Sequence, residues 1–243
     1  MNERALSPYT SSRGALWGGF RDAVGVPALV LFGCYVGFGS IILESGLGLP
    51  LGLFSTISAW ALPGQVVMIE LYSLGASVLL IALAVMMTNA RLLPMVMTLI
   101  PLVRDGKRPR WQYYAAAHVI AVTSWIAAMK RCPSLPESQR LPYFVGFCLV
   151  IWMMSMGGTA VGFFLSGIVP QPVSLALVFL NPIYFMLILA SDLKNRGRVT
   201  GIVLGALMGP LLHHLSPDWG LLITGVAAGS IGYFVSRREK RRG

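Results

Sequence analysis

The 243-residue sequence predicts an all-α polytopic membrane protein with six to eight transmembrane segments, some broken by proline, and a weak internal repeat. Three observations carry that fold class. Hydrophobic residues make up 56% of the chain and charged residues only 12%, far from the balance of soluble domains. Apolar runs of roughly 17–27 residues recur from end to end, the length a helix needs to cross about 30 Å of hydrocarbon. The apolar/polar alternation of barrel strands is absent. These runs leave no room for a soluble domain, so the chain reads as a cytoplasmic lead-in over 1–23, one transmembrane domain over 24–236 and a basic cytoplasmic tail over 237–243.

In chain order, the lead-in is polar and has no short apolar core followed by a cleavage site, which argues against a removable signal peptide. Apolar segments then cover 24–43, 51–74, 77–103, 113–129, 143–168, 173–190, 199–212 and 219–235. Eight crossings from a cytoplasmic N-terminus would leave Arg104, Lys107, Arg108 and Arg110 outside, against the rule that basic loops stay in the cytoplasm. The conflict disappears if 51–74 is a re-entrant hairpin and 113–129 likewise does not cross, which gives six spans with both termini inside. The second segment has a cause for such a break. Pro63 frees the carbonyl of Ala59 and Gly64 permits a turn, in the run Leu62-Pro63-Gly64-Gln65. In the third, Pro94 collides with the carbonyl of Ala90 and predicts a kink beside Arg91.

An internal echo accompanies these breaks. Val36-Gly37-Phe38 resembles Val161-Gly162-Phe163, and each is followed by a proline-containing turn and a segment broken at Pro63 or at Asn181-Pro182. Proline-interrupted segments at corresponding positions of two halves point to a transporter binding site.

The net charge of +10 is not a nucleic-acid footprint, because the basic residues sit in short loops flanking the spans. Clusters at Lys130, Arg131 and Arg140, at Lys194, Arg196 and Arg198, and in the tail fit a cytoplasmic face near anionic lipid. Cys34, Cys132 and Cys148 show no CxxC and no histidine at metal spacing; Cys34 and Cys148 read as small packing residues. His118 and the pair His213-His214 lack partner carboxylates and read as interfacial, so neither a metal nor a cofactor is expected. No nucleophile–base set, phosphate loop or carboxylate pair supports an enzyme. Glycines at 33 and 37, at 201, 205 and 209, and at 225 and 229 mark faces for close helix contact.

Arg91 is the most informative single residue. A cation deep in an apolar segment costs several kcal/mol and usually faces a protein interior or an aqueous cavity. Its neighbour Asn89, the half-helix opened by Gly64 and Gln65, and Asn181 are the candidate polar partners. Unpaired N–H groups at such a half-helix start suit a carboxylate. Glu70, two turns beyond the break, is either an ion-pair partner for Arg91 or a titrating site for a substrate amine or proton. Glu44 reads as solvated near the interface. Thr123 and Ser124 either hydrogen-bond a ligand or only back-bond to helix carbonyls.

These motifs resemble the AzlC-type permeases, the larger component of bacterial branched-chain amino-acid exporters. The carrying residues are Ala61-Leu-Pro-Gly-Gln65, then Thr88-Asn-Ala-Arg91 with Pro101, then Pro182 and residues 211–215 ahead of Asp218-Trp219-Gly220. The resemblance runs from about residue 21 to 235. It implies export of branched-chain amino acids across a bacterial inner membrane, together with a small hydrophobic AzlD-type subunit. Family members carry a Thr-Asp-Glu-Ser-Phe-like motif after the basic loop. Here that register holds Val122, Thr123, Ser124 and Trp125, so the acidic pair is missing.

The expected function is secondary export of a small amino acid. Arg91 with the N–H groups at Gly64 and Gln65 would hold the carboxylate; Glu70, Asn89 or Asn181 would take the other pole, and Trp60, Met68 and Met86 the aliphatic tail. The alternative is a membrane scaffold in which Arg91 and Glu70 form a structural pair.

Overall fold

The computed structural model describes Tyr9 and residues 11–168, 170–190, 196–215 and 220–240, and these residues form helices and connecting turns without a strand. Packing divides the chain into two compact units, Met1–Asn181 and Pro182–Gly243.

The first unit begins with α1 (Ser12–Ala23), capped by Ser11, whose hydroxyl accepts from the Gly14 N–H at 3.1 Å. The sequence expectation of a plain polar lead-in misses this helix. Ala15, Gly18, Gly19 and Ala23 are buried, and Gly19 and Gly146 let α1 sit directly on the backbone of α9 (Glu137–Leu165). Tyr143 of α9 donates to Asp22 at 2.8 Å. Residues Met1 to Pro8, Thr10 and 241–243 of the expected lead-in and tail lie outside the described residues, as do Lys194 and Asp218-Trp219.

The spine of the unit is α2 (Val26–Glu44) against α9. Gly158 lies on the Phe32 carbonyl, Gly162 on the backbone of Val36 and Gly39 on that of Thr159. Further along, Ser166 donates to the Ser40 carbonyl at 3.3 Å. Residue numbers rise together along both helices, so α2 and α9 run parallel. The repeated Val-Gly-Phe motifs are therefore packed on each other, at residues 36 and 162. On another face, Gly37 takes the backbone of α10 (Gln171–Ala190) at Ser174 and Val178, and Ser174 donates to Ser40 at 2.9 Å.

Between α2 and α9 the chain makes three broken segments. The first is α3 (Leu49–Ser58) and α4 (Leu62–Ser73), the second α5 (Val78–Asn89) and α6 (Leu92–Val103), the third α7 (Arg110–His118) and α8 (Val122–Arg131). Pro63 lies in the first turn of α4, where its missing N–H is harmless, and the helix stops one residue before the carbonyl it would strike. Pro94 plays the same part in α6, and the α5–α6 bend is 50°. The third break has no proline. There the Ser124 hydroxyl both accepts from the Ala121 N–H and donates to its carbonyl, each at 2.9 Å.

Among the described residues, two single helices, α2 and α9, are long and apolar enough to span a bilayer, and the bent α5–α6 pair makes a third by length and composition. The other apolar stretches between α2 and α9 are cut into half-length pieces of about 15 Å, at 1.5 Å per residue. This agrees with an all-α membrane fold built of proline-broken segments, and adds a break at residues 119–121 that no proline marks.

The second unit holds the end of α10, then α11 (Arg196–Leu215) and α12 (Gly220–Lys240), which pack as a pair. Gly201 lies 3.6 Å from the Ala228 carbonyl for an added Cβ, whereas Gly205, Gly225 and Gly229 have open space. Pro182 lies inside α10 rather than at an interruption, so the proline echo of Pro63 is not a second broken segment.

Candidate functional site

The breaks of unit 1 meet one another. A Cβ on Gly64, at the start of α4, would lie 2.5 Å from Asn89 Oδ1, at the end of α5. Only glycine admits so close an approach at this position. His118, ending α7, makes a 2.8 Å hydrogen bond through Nε2 to the Ile57 carbonyl at the end of α3. Helix ends from all three broken segments therefore come together, with uncapped backbone groups that apolar neighbours cannot satisfy. Ala61, the N-cap of α4, supplies no side-chain bond, and Arg91, preceding α6, supplies none either.

Gln65 is buried at the heart of a neutral network. Its Oε1 accepts from Tyr35 Oη at 2.9 Å, and its Nε2 donates to Ser55 Oγ at 2.9 Å and Thr56 Oγ1 at 3.1 Å. Thr56 and Thr159 lie 3.4 Å apart, and Trp60 Nε1 donates to Ser155 Oγ at 3.1 Å. The amide spends both its N–H bonds and its oxygen on protein. Gln65 thus anchors α4 to α2 and α3, and in this conformation it has no free N–H for a ligand. Sequence reasoning missed Tyr35, Ser55, Thr56, Ser155 and Thr159. Their signal was hydroxyls at helical spacing inside apolar runs, a pattern shared with ordinary back-bonding, which Ser155 and Thr159 also perform.

Two polar atoms near the breaks are left over. Asn89 Oδ1 and Thr123 Oγ1 are buried with no hydrogen-bond partner among the described residues. A buried acceptor or hydroxyl without a partner is costly and marks a place where a ligand or water is owed. Ser124 is back-bonded, but Thr123, one position away in the register of the missing acidic pair, is not.

Arg91 lies in the break between α5 and α6, and its side chain is exposed. Glu70 is exposed too, and the ion pair between them is not formed: among the described residues the salt bridge is Arg108 to Asp105, at 2.8 Å. The structural pair required by a scaffold reading is thereby corrected. α4 presents Glu70 on a face that does not bring its carboxylate within 4 Å of the guanidinium. Glu44 is exposed and accepts from Ser40 at 3.3 Å, as a solvated end residue would.

Asn181 is buried on α10, and no hydrogen bond among the described residues joins it to Gly64, Asn89 or Arg91. Of the apolar candidates, Trp60 is buried and tied to Ser155, Met68 is half-buried against the α2–α9 core, and Met86 is 61% exposed. The side chain of His213 lies outside the described residues, and no group of three or more metal-ligating side chains gathers among those described. Cys34, Cys132 and Cys148 are all buried and free. Cavities of about 380 and 500 Å³ border α7, and neither is lined by Gly64, Asn89 or Arg91.

Comparison with known proteins gives one family. The family model described as AzlC protein matches residues 27–169, more than half of the chain. No curated protein and no solved structure matches. The match covers α2 to α9, with all three broken segments, and ends before Asn181, Pro182 and the 211–220 motif. The shared region is therefore narrower than the residue 21–235 resemblance.

Proposed function

Because the chain belongs to the AzlC family, a transporter-type family associated with branched-chain amino-acid transport, we propose that it is a secondary transporter exporting a small apolar amino acid across the bacterial cytoplasmic membrane. The observation that carries this reading is the meeting of α4 and α5 at Gly64 and Asn89. It puts an uncapped half-helix start beside a buried, unpartnered acceptor, and Arg91 is two residues beyond Asn89.

The chemistry suits a zwitterion. The positive pole of α4 and the Arg91 guanidinium favour a carboxylate, while Asn89 Oδ1 accepts from an ammonium group. Gly64 lets a ligand's polar end approach the backbone once Asn89 moves aside. Gln65 holds the half-helix in place instead of touching the substrate. Glu70, an exposed carboxylate further along α4, and Asn181, buried on α10, have no bond to Gly64, Asn89 or Arg91 among the described residues and take no part in this reading. Export as the direction and a small hydrophobic partner subunit are part of the same proposal, supported by the family alone.

The test is transport of labelled leucine into or out of vesicles reconstituted with Arg91→Ala. Transport falls at least about tenfold, as expected for a lost charged contact, while the amount of inserted protein is unchanged. Normal transport by that variant would remove Arg91 from the site.

A further inference from the structure

We propose that the cleft between α6, the 104–109 loop and α7 binds the headgroup of an anionic phospholipid. This proposal is independent of the transport reading. The cleft is a cavity of about 500 Å³ with two chemically distinct ends. Val96 and Ile100 of α6 and Ala117 of α7 form the apolar end, and Arg104, Arg108 and Arg110 form the basic end. A phosphodiester carrying acyl chains has the same polarity: the phosphate matches the guanidiniums and the first methylenes match the aliphatic wall.

The charge at the mouth is not cancelled from within. Asp105 neutralises Arg108 through a 2.8 Å bond from Nε, and Arg108 also donates to the Ser138 carbonyl at 3.1 Å. Burial pushes the Asp105 carboxyl up. Hydrogen bonds from the Arg108 side chain, the Lys107 N–H and the Tyr113 hydroxyl outweigh it and hold the group below its ordinary value. Asp105 is accordingly ionised at neutral pH and fixes the loop. Arg104 and Arg110 have no ion pair among the described residues and stay available to a ligand.

The surroundings place this cleft at a headgroup layer. Trp111 and Tyr114, at the start of α7, are 65% and 75% exposed, and exposed aromatics of that kind sit at the membrane–water boundary. α6, apolar along its length, leads from the boundary into the hydrocarbon, so acyl chains have a surface to follow.

The experiment titrates purified full-length protein, in neutral detergent, with short-chain phosphatidylglycerol and with phosphatidylcholine, read by native mass spectrometry and thermal unfolding. Inorganic phosphate forms a separate arm. Phosphatidylglycerol binds saturably and raises the unfolding temperature, while phosphatidylcholine and free phosphate do not. R104Q/R110Q weakens that binding by about tenfold or more, and R13Q/R21Q, which removes the same charge from α1, leaves it nearly unchanged. Ala117→Phe, which fills the apolar end and keeps every charge, weakens it as well and decides the matter should the double variant fold poorly. Equal binding of both lipids, equal weakening by the two double variants, or unaltered binding by Ala117→Phe would overturn the proposal. Tight binding of inorganic phosphate alone would overturn the lipid as occupant.

Discussion

At Gln65 one amide satisfies three hydroxyls from two other helices, and five residues along the same half-helix the exposed Glu70 side chain has no hydrogen bond or ion pair among the described residues. Replacing Gln65 by leucine strands the Tyr35 hydroxyl in an apolar interior and removes the donor to Ser55 and Thr56, which keep their bonds to the Gly52 carbonyl. Since bonds of this kind inside membranes contribute about 0.6 and at most about 1.7 kcal/mol each, Gln65→Leu destabilises by about 1–3 kcal/mol. Glu70→Gln stays within about 0.5 kcal/mol, as exposed substitutions do. Thermal unfolding of both variants in detergent checks the contrast, and equal losses would contradict the anchoring role of Gln65. The contrast also marks the limit of sequence reading at this scale. Polarity and position single out Gln65, Glu70, Asn89 and Arg91 in the sequence, but their surroundings depend on the rotation of α4 against α2, α3 and α5, which buries Gln65 and leaves Glu70 and Arg91 exposed. No local pattern encodes that rotation. An Arg91–Glu70 pair is plausible from spacing alone and is refused by the faces the two helices present.

The half-helices are legible where a proline cuts them and illegible where none does. Pro63 and Pro94 each locate a break because a missing N–H and a clash with the carbonyl four residues back act within one turn. The gap at Val119, Ile120 and Ala121 has no such signature, since Ser124 makes it by pairing with both backbone groups of Ala121. α1 is hidden for the opposite reason: Gly14, Gly18 and Gly19 lower helix propensity, yet Gly19 is what allows α1 onto the α9 backbone at Tyr143, while Gly18 makes room for Tyr9. The parallel course of α2 and α9 adds a constraint on topology. When both span, the chain between them crosses an odd number of times, so either one or all three of the broken segments cross. A seven-span arrangement with a single re-entrant segment is excluded. Six spans with the α5–α6 pair as the crossing segment put the 104–110 loop on the same side as the start of α2, and eight spans put it on the opposite side. Cysteine substituted at Lys107 is therefore expected to react only with reagent reaching the cytoplasmic face; labelling from outside would overturn the six-span arrangement in which α5–α6 crosses.

For the molecule as a whole, the family match stops within the first unit, and the second unit, Pro182–Gly243, is not covered by it. Substrate class is accordingly a property to test on the entire protein in cells. With a co-expressed small hydrophobic subunit, efflux of labelled leucine, isoleucine and valine rises over cells lacking either chain, and efflux of lysine and glutamate does not. Equal efflux of the charged amino acids would refute an apolar substrate. The glycine contacts between α2 and α9 have a mechanical consequence. With backbone on backbone at residues 36, 39, 158 and 162, a slip of one residue would drive a side chain into a carbonyl. That seam behaves as a fixed keel: it supplies no stroke, and any cycle exposing the site first to one side and then to the other must be worked by the short helices from α3 to α8, hinged at their own gaps.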